Sequence, residues 1–128
     1  MKLSEAMMLG YTLVKFDPHL YLSCGRGCLS GAALKAATGA NYGMSEDIIK
    51  QWPWLMNRKF ADPVHEGWWS FAIYIVDAMA FEVERGAWTI EQAADWIRSV
   101  EPSEPAETLS APHEIRPVEN RAECLVSK

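Results

Sequence analysis

Two stretches of this sequence carry side chains whose types and spacing could do chemistry. The first is CGRGCLSGAAL, residues 24–34, in which a Gly25-Arg26-Gly27 turn feeds a helix rich in small residues. Free backbone N–H groups at such a helix start can hold an anion, with Arg26, Gly27 and Cys28 as the contact residues. Cys28, beside Arg26 and a helix N-terminus, is also where a thiol pKa would fall. Against these readings stand two absences. No Gly-Lys-Ser/Thr follows, as a phosphate loop requires, and the order Gly-Cys-Leu-Ser-Gly is not that of a nucleophile elbow. A catalytic Cys needs a base, and nothing in the sequence sets His19 or His65 beside Cys28. The plain alternatives are a structural turn and a small buried thiol.

The second stretch is WWSFAIYIVDAMAFEV, residues 68–83, the longest apolar run in the chain. Its length and lack of turn residues predict a helix, punctuated by Pro63 and Gly67 before and Gly86 after. A helix apolar on most sides belongs at the centre of a small domain. Glu66, Ser70, Tyr74, Asp77 and Glu84 recur at about 3.6 residues and share one stripe, with Phe81 its one purely apolar member. That stripe reads either as a narrow solvent-facing seam or as a carboxylate-lined groove around Asp77. Asp77 and Glu84 are two turns apart, about 10 Å, too far for direct cooperation in acid–base catalysis. A third feature, Trp52-Pro53-Trp54, ends a short helix and predicts two rings wedged against the core, or exposed as a stacking pair.

The other elements are read from caps and periodicity. A helix is expected over 3–15 with Ser4 as N-cap, and its Met-rich apolar face suits a core or a partner. Residues 19–23 alternate weakly as a strand candidate. A helix over 29–38 stops at Gly39, and a short one over 46–51 takes Ser45 as its cap. Residues 57–67 read as a long polar connection. Thr89-Ile90-Glu91-Gln92 fits a capping box opening an amphipathic helix whose buried stripe is Ile90, Ala93, Ala94, Ile97 and Val100. The fold class expected is mainly α: a compact bundle of four to five helices around a buried central helix, with one short strand or hairpin near 19–28.

Composition bounds what such a domain can do. The 128 residues are 49% apolar and include six Trp, which argues for one globular domain. Residues 1–100 hold 11 acids against 9 bases and residues 101–128 hold 6 against 3. Without a basic patch, the helical part is a poor nucleic-acid binder. Four of the seven prolines fall in 101–128 and aromatic residues vanish there, so residues 1–100 read as the domain and 101–128 as an acidic disordered tail. Three cysteines, one of them in that tail, do not make a disulfide framework and point to a reducing cytoplasm. The N-terminus, with Glu5 inside it, does not read as a signal peptide. The central run is too short and too polar for a membrane span.

Three segments, Met1-Lys2-Leu3-Ser4-Glu5-Ala6, Cys28-Leu29-Ser30-Gly31-Ala32-Ala33-Leu34 and Trp88-Thr89-Ile90-Glu91-Gln92-Ala93-Ala94-Asp95-Trp96-Ile97, resemble a family of small uncharacterised proteins of bacteria and their prophages. The resemblance covers roughly residues 1–101, patchily, and implies boundaries rather than an activity. Members carry a CPxC turn before the central helix and a His pair before the Trp-Thr, a set that would suit structural zinc. Here the turn is Asp62-Pro63-Val64-His65 and the His positions fall near Phe81 and Gly86, so no metal or other cofactor is expected.

These readings converge on a small cytoplasmic protein-binding module without catalytic activity, carried by a mobile element. It would engage a host or phage protein through Trp52, Trp54, Tyr74 and Asp77. Alternatives are a weak nucleic-acid-binding helical protein, for which the last helix offers only Gln92 and Arg98, and a small-anion binder using Gly25-Arg26-Gly27. A homodimer is compatible with each.

Overall fold

The computed structural model describes residues 1–102. Their order is α1 (Leu3–Gly10), β1 (Lys15–Phe16), β2 (Leu22–Ser23), β3 (Arg26–Gly27), α2 (Leu29–Thr38), β4 (Tyr42–Gly43), α3 (Ser45–Gln51), a 3-10 turn (Pro53–Met56), β5 (Lys59–Ala61), β6 (Trp69–Phe71), α4 (Ala72–Arg85) and α5 (Ile90–Val100). The described residues are mainly helical with some sheet. The expected disordered tail lies outside them, apart from Glu101 and Pro102.

The helix at the centre is α2, not the long apolar run. Leu29 to Leu34 are all buried, and α2 packs against α1, α3, α4, β2 and β3. Its small side chains explain this, because neighbours can close on it from several sides. Gly10, where α1 ends, lies so close to the Ala32 carbonyl that any Cβ there would overlap it. The chain therefore turns at residues 11–14 and enters β1, well short of the helix end expected at Lys15. The N-terminus of α1 is not capped by Ser4. Lys2 holds the cap position, and Glu101, at the far end of the domain, accepts hydrogen bonds from Ser4 N–H at 3.1 Å and Ser4 Oγ at 2.5 Å.

The hairpin anticipated near 19–28 is present as β2–β3, and it belongs to the first of two small sheets. In the first the order is β1-β3-β2-β4, with β1 and β3 parallel and the other pairs antiparallel. The turn between β2 and β3 is Cys24-Gly25, both at positive φ (46° and 89°), which matches the twist a two-residue hairpin needs. The expected turn at Gly25-Arg26-Gly27 is thus displaced, and Arg26 and Gly27 lie in a strand. In the second sheet β5 pairs with β6, Lys59 opposite Phe71 and Ala61 opposite Trp69. The connection over 57–67 therefore contains a strand. The first residues of the apolar run are strand too: Trp69 to Phe71 pair with β5, and helix begins only at Ala72. Aromatic runs favour the extended state, and apolarity alone does not separate it from helix.

Other boundaries follow the local chemistry. α2 stops at Gly39 and α4 at Gly86, as the sequence indicates. α3 begins at Ser45 with Met44 at the cap position, and it is the Asp47 carboxylate that accepts the Met44 N–H at 2.9 Å. α5 opens on the expected capping box, Gln92 N–H to Thr89 Oγ1 at 3.0 Å and Thr89 N–H to Gln92 Oε1 at 2.8 Å. Its Ala93, Ala94 and Ile97 are buried and Ile90 and Val100 half-buried. No helix among the described residues is long and apolar enough to cross a membrane.

Candidate functional site

The site is a seam along α4. Tyr74, Asp77, Phe81 and Glu84 fall on one stripe of this helix, as their spacing predicts. Tyr74 is 56% and Phe81 40% exposed, while Asp77 between them is half-buried. Ser70 and Glu66, assigned to the same stripe in sequence, lie instead in β6 and in the connection before it.

What covers Asp77 is the segment between β1 and β2. Tyr21 Oη donates to Asp77 Oδ2 at 2.8 Å across 56 residues of sequence. Two features of the fold bring Tyr21 there. Cys28 N–H, entering α2, donates to the carbonyls of Leu20 at 2.9 Å and Tyr21 at 3.2 Å. Gly31, in the first turn of α2, leaves room for the Tyr21 carbonyl at the spot a Cβ would fill. Upstream, the Asp17 carboxylate accepts the His19 N–H at 3.0 Å, and the His19 ring meets Phe81 edge-on with 5.3 Å between centroids. The segment 17–21 thus lies along the seam, with Tyr21 on Asp77 and His19 on Phe81.

Burial shapes the titration of this pair. It pushes the Asp77 carboxyl up to about 6 from an ordinary 3.8, and the Tyr21 hydrogen bond offsets only part of that rise. The Tyr21 hydroxyl is held well above its ordinary value, first by burial and then by Asp77. Among the described residues no Lys, Arg or His pairs with Asp77. The Arg85 guanidinium meets Glu82 instead, at 3.5 Å, and Arg98 meets Asp95. At neutral pH the seam therefore carries a partly dehydrated carboxylate with one neutral donor and no cation.

The anion-binding residues foreseen in the sequence are dispersed. Arg26 is exposed on β3, whereas Gly27 and Cys28 are buried. The Cys28 N–H is taken by the carbonyls of residues 20 and 21. The Cys28 sulfur lies 3.4 Å from Ser30 Oγ. Burial nonetheless pushes the Cys28 thiol up, so the lowered pKa expected there is reversed. The tryptophan pair divides as well. Trp52 is 4% exposed and its Nε1–H donates to the Met1 carbonyl at 3.0 Å. Trp54 is half-buried and edge-on to Phe60, with 6.2 Å between centroids. Trp52 therefore has no free ring face, and only Tyr74 and Asp77 of the four partner-binding residues named from sequence come together.

Sequence reasoning missed two features. Trp68 and Trp69, read as the start of a core helix, are 69% and 64% exposed at the β5–β6 hairpin. Asp62 closes the hairpin turn: Oδ1 accepts from Val64 N–H at 2.7 Å and His65 N–H at 3.0 Å, and Oδ2 faces His65 Nδ1 at 3.0 Å. Among the described residues no three His, Cys, Asp or Glu side chains gather as a metal site.

The chain matches no family model, no curated protein and no solved structure. A carboxylate flanked by aromatic rings can bind and orient. Among the described residues, the titratable group in hydrogen-bond reach of it is the Tyr21 phenol, whose pKa is raised.

Proposed function

We propose that this chain is a small cytoplasmic interaction or regulatory module of a mobile element, without catalytic activity, that docks on a host or phage protein. The observation that carries the reading is the exposure of four aromatic side chains on α4 and just before it. Tyr74 and Phe81 stand out on either side of Asp77, and Trp68 and Trp69 stand out on the hairpin that leads into the same helix. Large apolar side chains exposed together are the usual mark of a binding surface, and Tyr and Trp are the residues most often found to dominate binding energy. The mobile-element assignment rests on the resemblance of residues 1–6, 28–34 and 88–97 to prophage proteins. A nucleic-acid reading finds little support, because the outer face of α5 presents Glu91 and Asp95 beside Gln92 and Arg98.

Photo-crosslinking tests this directly. Benzoylphenylalanine is placed at position 74 or 81, and at position 91 on α5 as a control, and the protein is expressed in a bacterial cytoplasm. The expected result is one discrete adduct from positions 74 and 81 and none from 91. Equal labelling at all three positions, or none above background at 74 and 81, rejects the reading.

A further inference from the structure

We infer that Asp77, set between Tyr74 and Phe81 and held by Tyr21, is the receptor for an arginine side chain of the partner protein. The inference rests on the interaction reading above and names the chemistry of the group that docks.

The first argument is charge. An ionised carboxylate offers about four lone-pair positions, and among the described residues the one hydrogen bond Asp77 makes is with Tyr21. The titratable groups that interact with it are Tyr21 from the segment before β2 and Cys28 from the start of α2, while Tyr74 from α4 interacts with Tyr21; none of them is a cation. His19, from the same segment as Tyr21, packs on Phe81 one turn away. A half-buried carboxylate is normally matched by an Arg, a Lys or several N–H donors. Here the match is absent among the described residues, and the open lone pairs point to a donor from outside.

The second argument is shape. Asp77 is half-buried, with the exposed rings of Tyr74 and Phe81 before and after it on the helix and Tyr21 on its Oδ2. A cation bound to its remaining lone pairs would lie beside these rings. Such rings attract positive charge through their π-systems. A guanidinium fits these demands better than an ammonium: it is planar, stacks on aromatic rings and offers parallel N–H groups to a carboxylate. A metal ion fits worse still, since the site supplies one carboxylate.

The probe is N-acetyl-arginine amide, added at constant ionic strength to the full ¹⁵N-labelled chain and followed through backbone amide shifts. Controls are the neutral isostere N-acetyl-citrulline amide and N-acetyl-lysine amide. Saturable shifts centred on residues 74, 77 and 81 are expected with arginine. They should weaken at least tenfold in Asp77→Asn, weaken severalfold in Tyr74→Leu, and fade below about pH 6 as the carboxylate protonates. Citrulline should give none, and lysine should bind more weakly. Absent shifts with arginine, equal shifts with citrulline, or arginine shifts unchanged in Asp77→Asn overturn the inference. Equal binding of lysine overturns the choice of guanidinium. The two proposals fail separately: crosslinks from 74 and 81 without arginine binding would keep the docking surface and discard its cation, and arginine binding without crosslinks would do the reverse.

Discussion

Replacing Asp77 by Asn should stabilise this protein at neutral pH, although it removes a hydrogen-bonded charge. In the fold the carboxyl titrates at about 6, against 3.8 for an ordinary aspartate. One pH unit is worth about 1.4 kcal/mol, so the full difference amounts to about 3 kcal/mol. Because the side chain is half-buried, solvent screening lowers our figure to about 2 kcal/mol. The sign follows from proton uptake. Below 3.8 the carboxyl is neutral in both folded and unfolded chains. Between 3.8 and about 6 the unfolded chain releases its proton while the folded one retains it, so stability falls as pH rises through the folded value. Asn keeps the shape and an oxygen acceptor for the Tyr21 hydroxyl, and it never ionises. Urea unfolding followed by tryptophan fluorescence, on wild type and Asp77→Asn, should therefore give a gap of about 2 kcal/mol in favour of Asn near pH 7.5, shrinking to a few tenths near pH 4. The corresponding rise in Tm is roughly 10 °C at the higher pH. The other titrating groups act on both proteins and cancel in the difference. A gap that is independent of pH, or an Asn variant less stable than wild type at pH 7.5, would refute the account of Asp77 as a carboxylate held at a cost.

Three further outcomes test the scaffold around the seam. Gly31→Ala should destabilise by about 3 kcal/mol or more, because its Cβ would overlap the Tyr21 carbonyl; the same variant should displace the Tyr21 ring, visible in its NMR shifts. Ser4→Ala and Glu101→Ala should each cost about 1 kcal/mol in urea melts, and the double variant should cost less than their sum, since both remove the same contact between the start of α1 and the end of α5. Asp62→Ala should cost about 1–2 kcal/mol at pH 7 by freeing the Val64 and His65 N–H groups. Burial raises the Asp62 pKa, but the His65 and Val64 hydrogen bonds outweigh it and the net displacement is downward. Its contribution is therefore present above 3.8 and lost as pH falls below that value, so the gap to Asp62→Ala should close in acid.

The helices that carry their own signals were legible. α5 announces itself through Thr89 and Gln92, and α2 through Gly39 and its alanines, because caps and small-residue spacing are local properties. The seam was half legible: helical periodicity alone puts Tyr74, Asp77 and Phe81 on one face. The group that completes it was not, because Tyr21 lies 56 residues away and no periodicity links a loop tyrosine to a helix aspartate. A weaker signal did exist. Gly27 and Gly31, four residues apart, both border the Tyr21 carbonyl, and paired glycines at the start of a buried helix indicate that some backbone comes close. Trp68 and Trp69 were misread for a plainer reason. An unbroken apolar run carries no mark at the point where strand becomes helix, so their exposure follows from the pairing of β6 with β5, a tertiary fact.

The placement of Asp77 also bears on whether the seam is there for packing or for binding. If the Tyr21–Asp77 bond served only to fasten the segment 17–21 to α4, an asparagine would accept the same hydroxyl without the ionisation cost, and stability alone would favour it. A carboxylate kept where burial opposes its charge is instead what a docking site for a cation requires, since desolvation strengthens the attraction once the partner arrives. The two explanations separate in a single variant. Under the packing account Asp77→Asn should be more stable and otherwise indistinguishable from wild type. Under the receptor account it should be more stable and deaf to arginine, so that stability and binding move in opposite directions at the same residue.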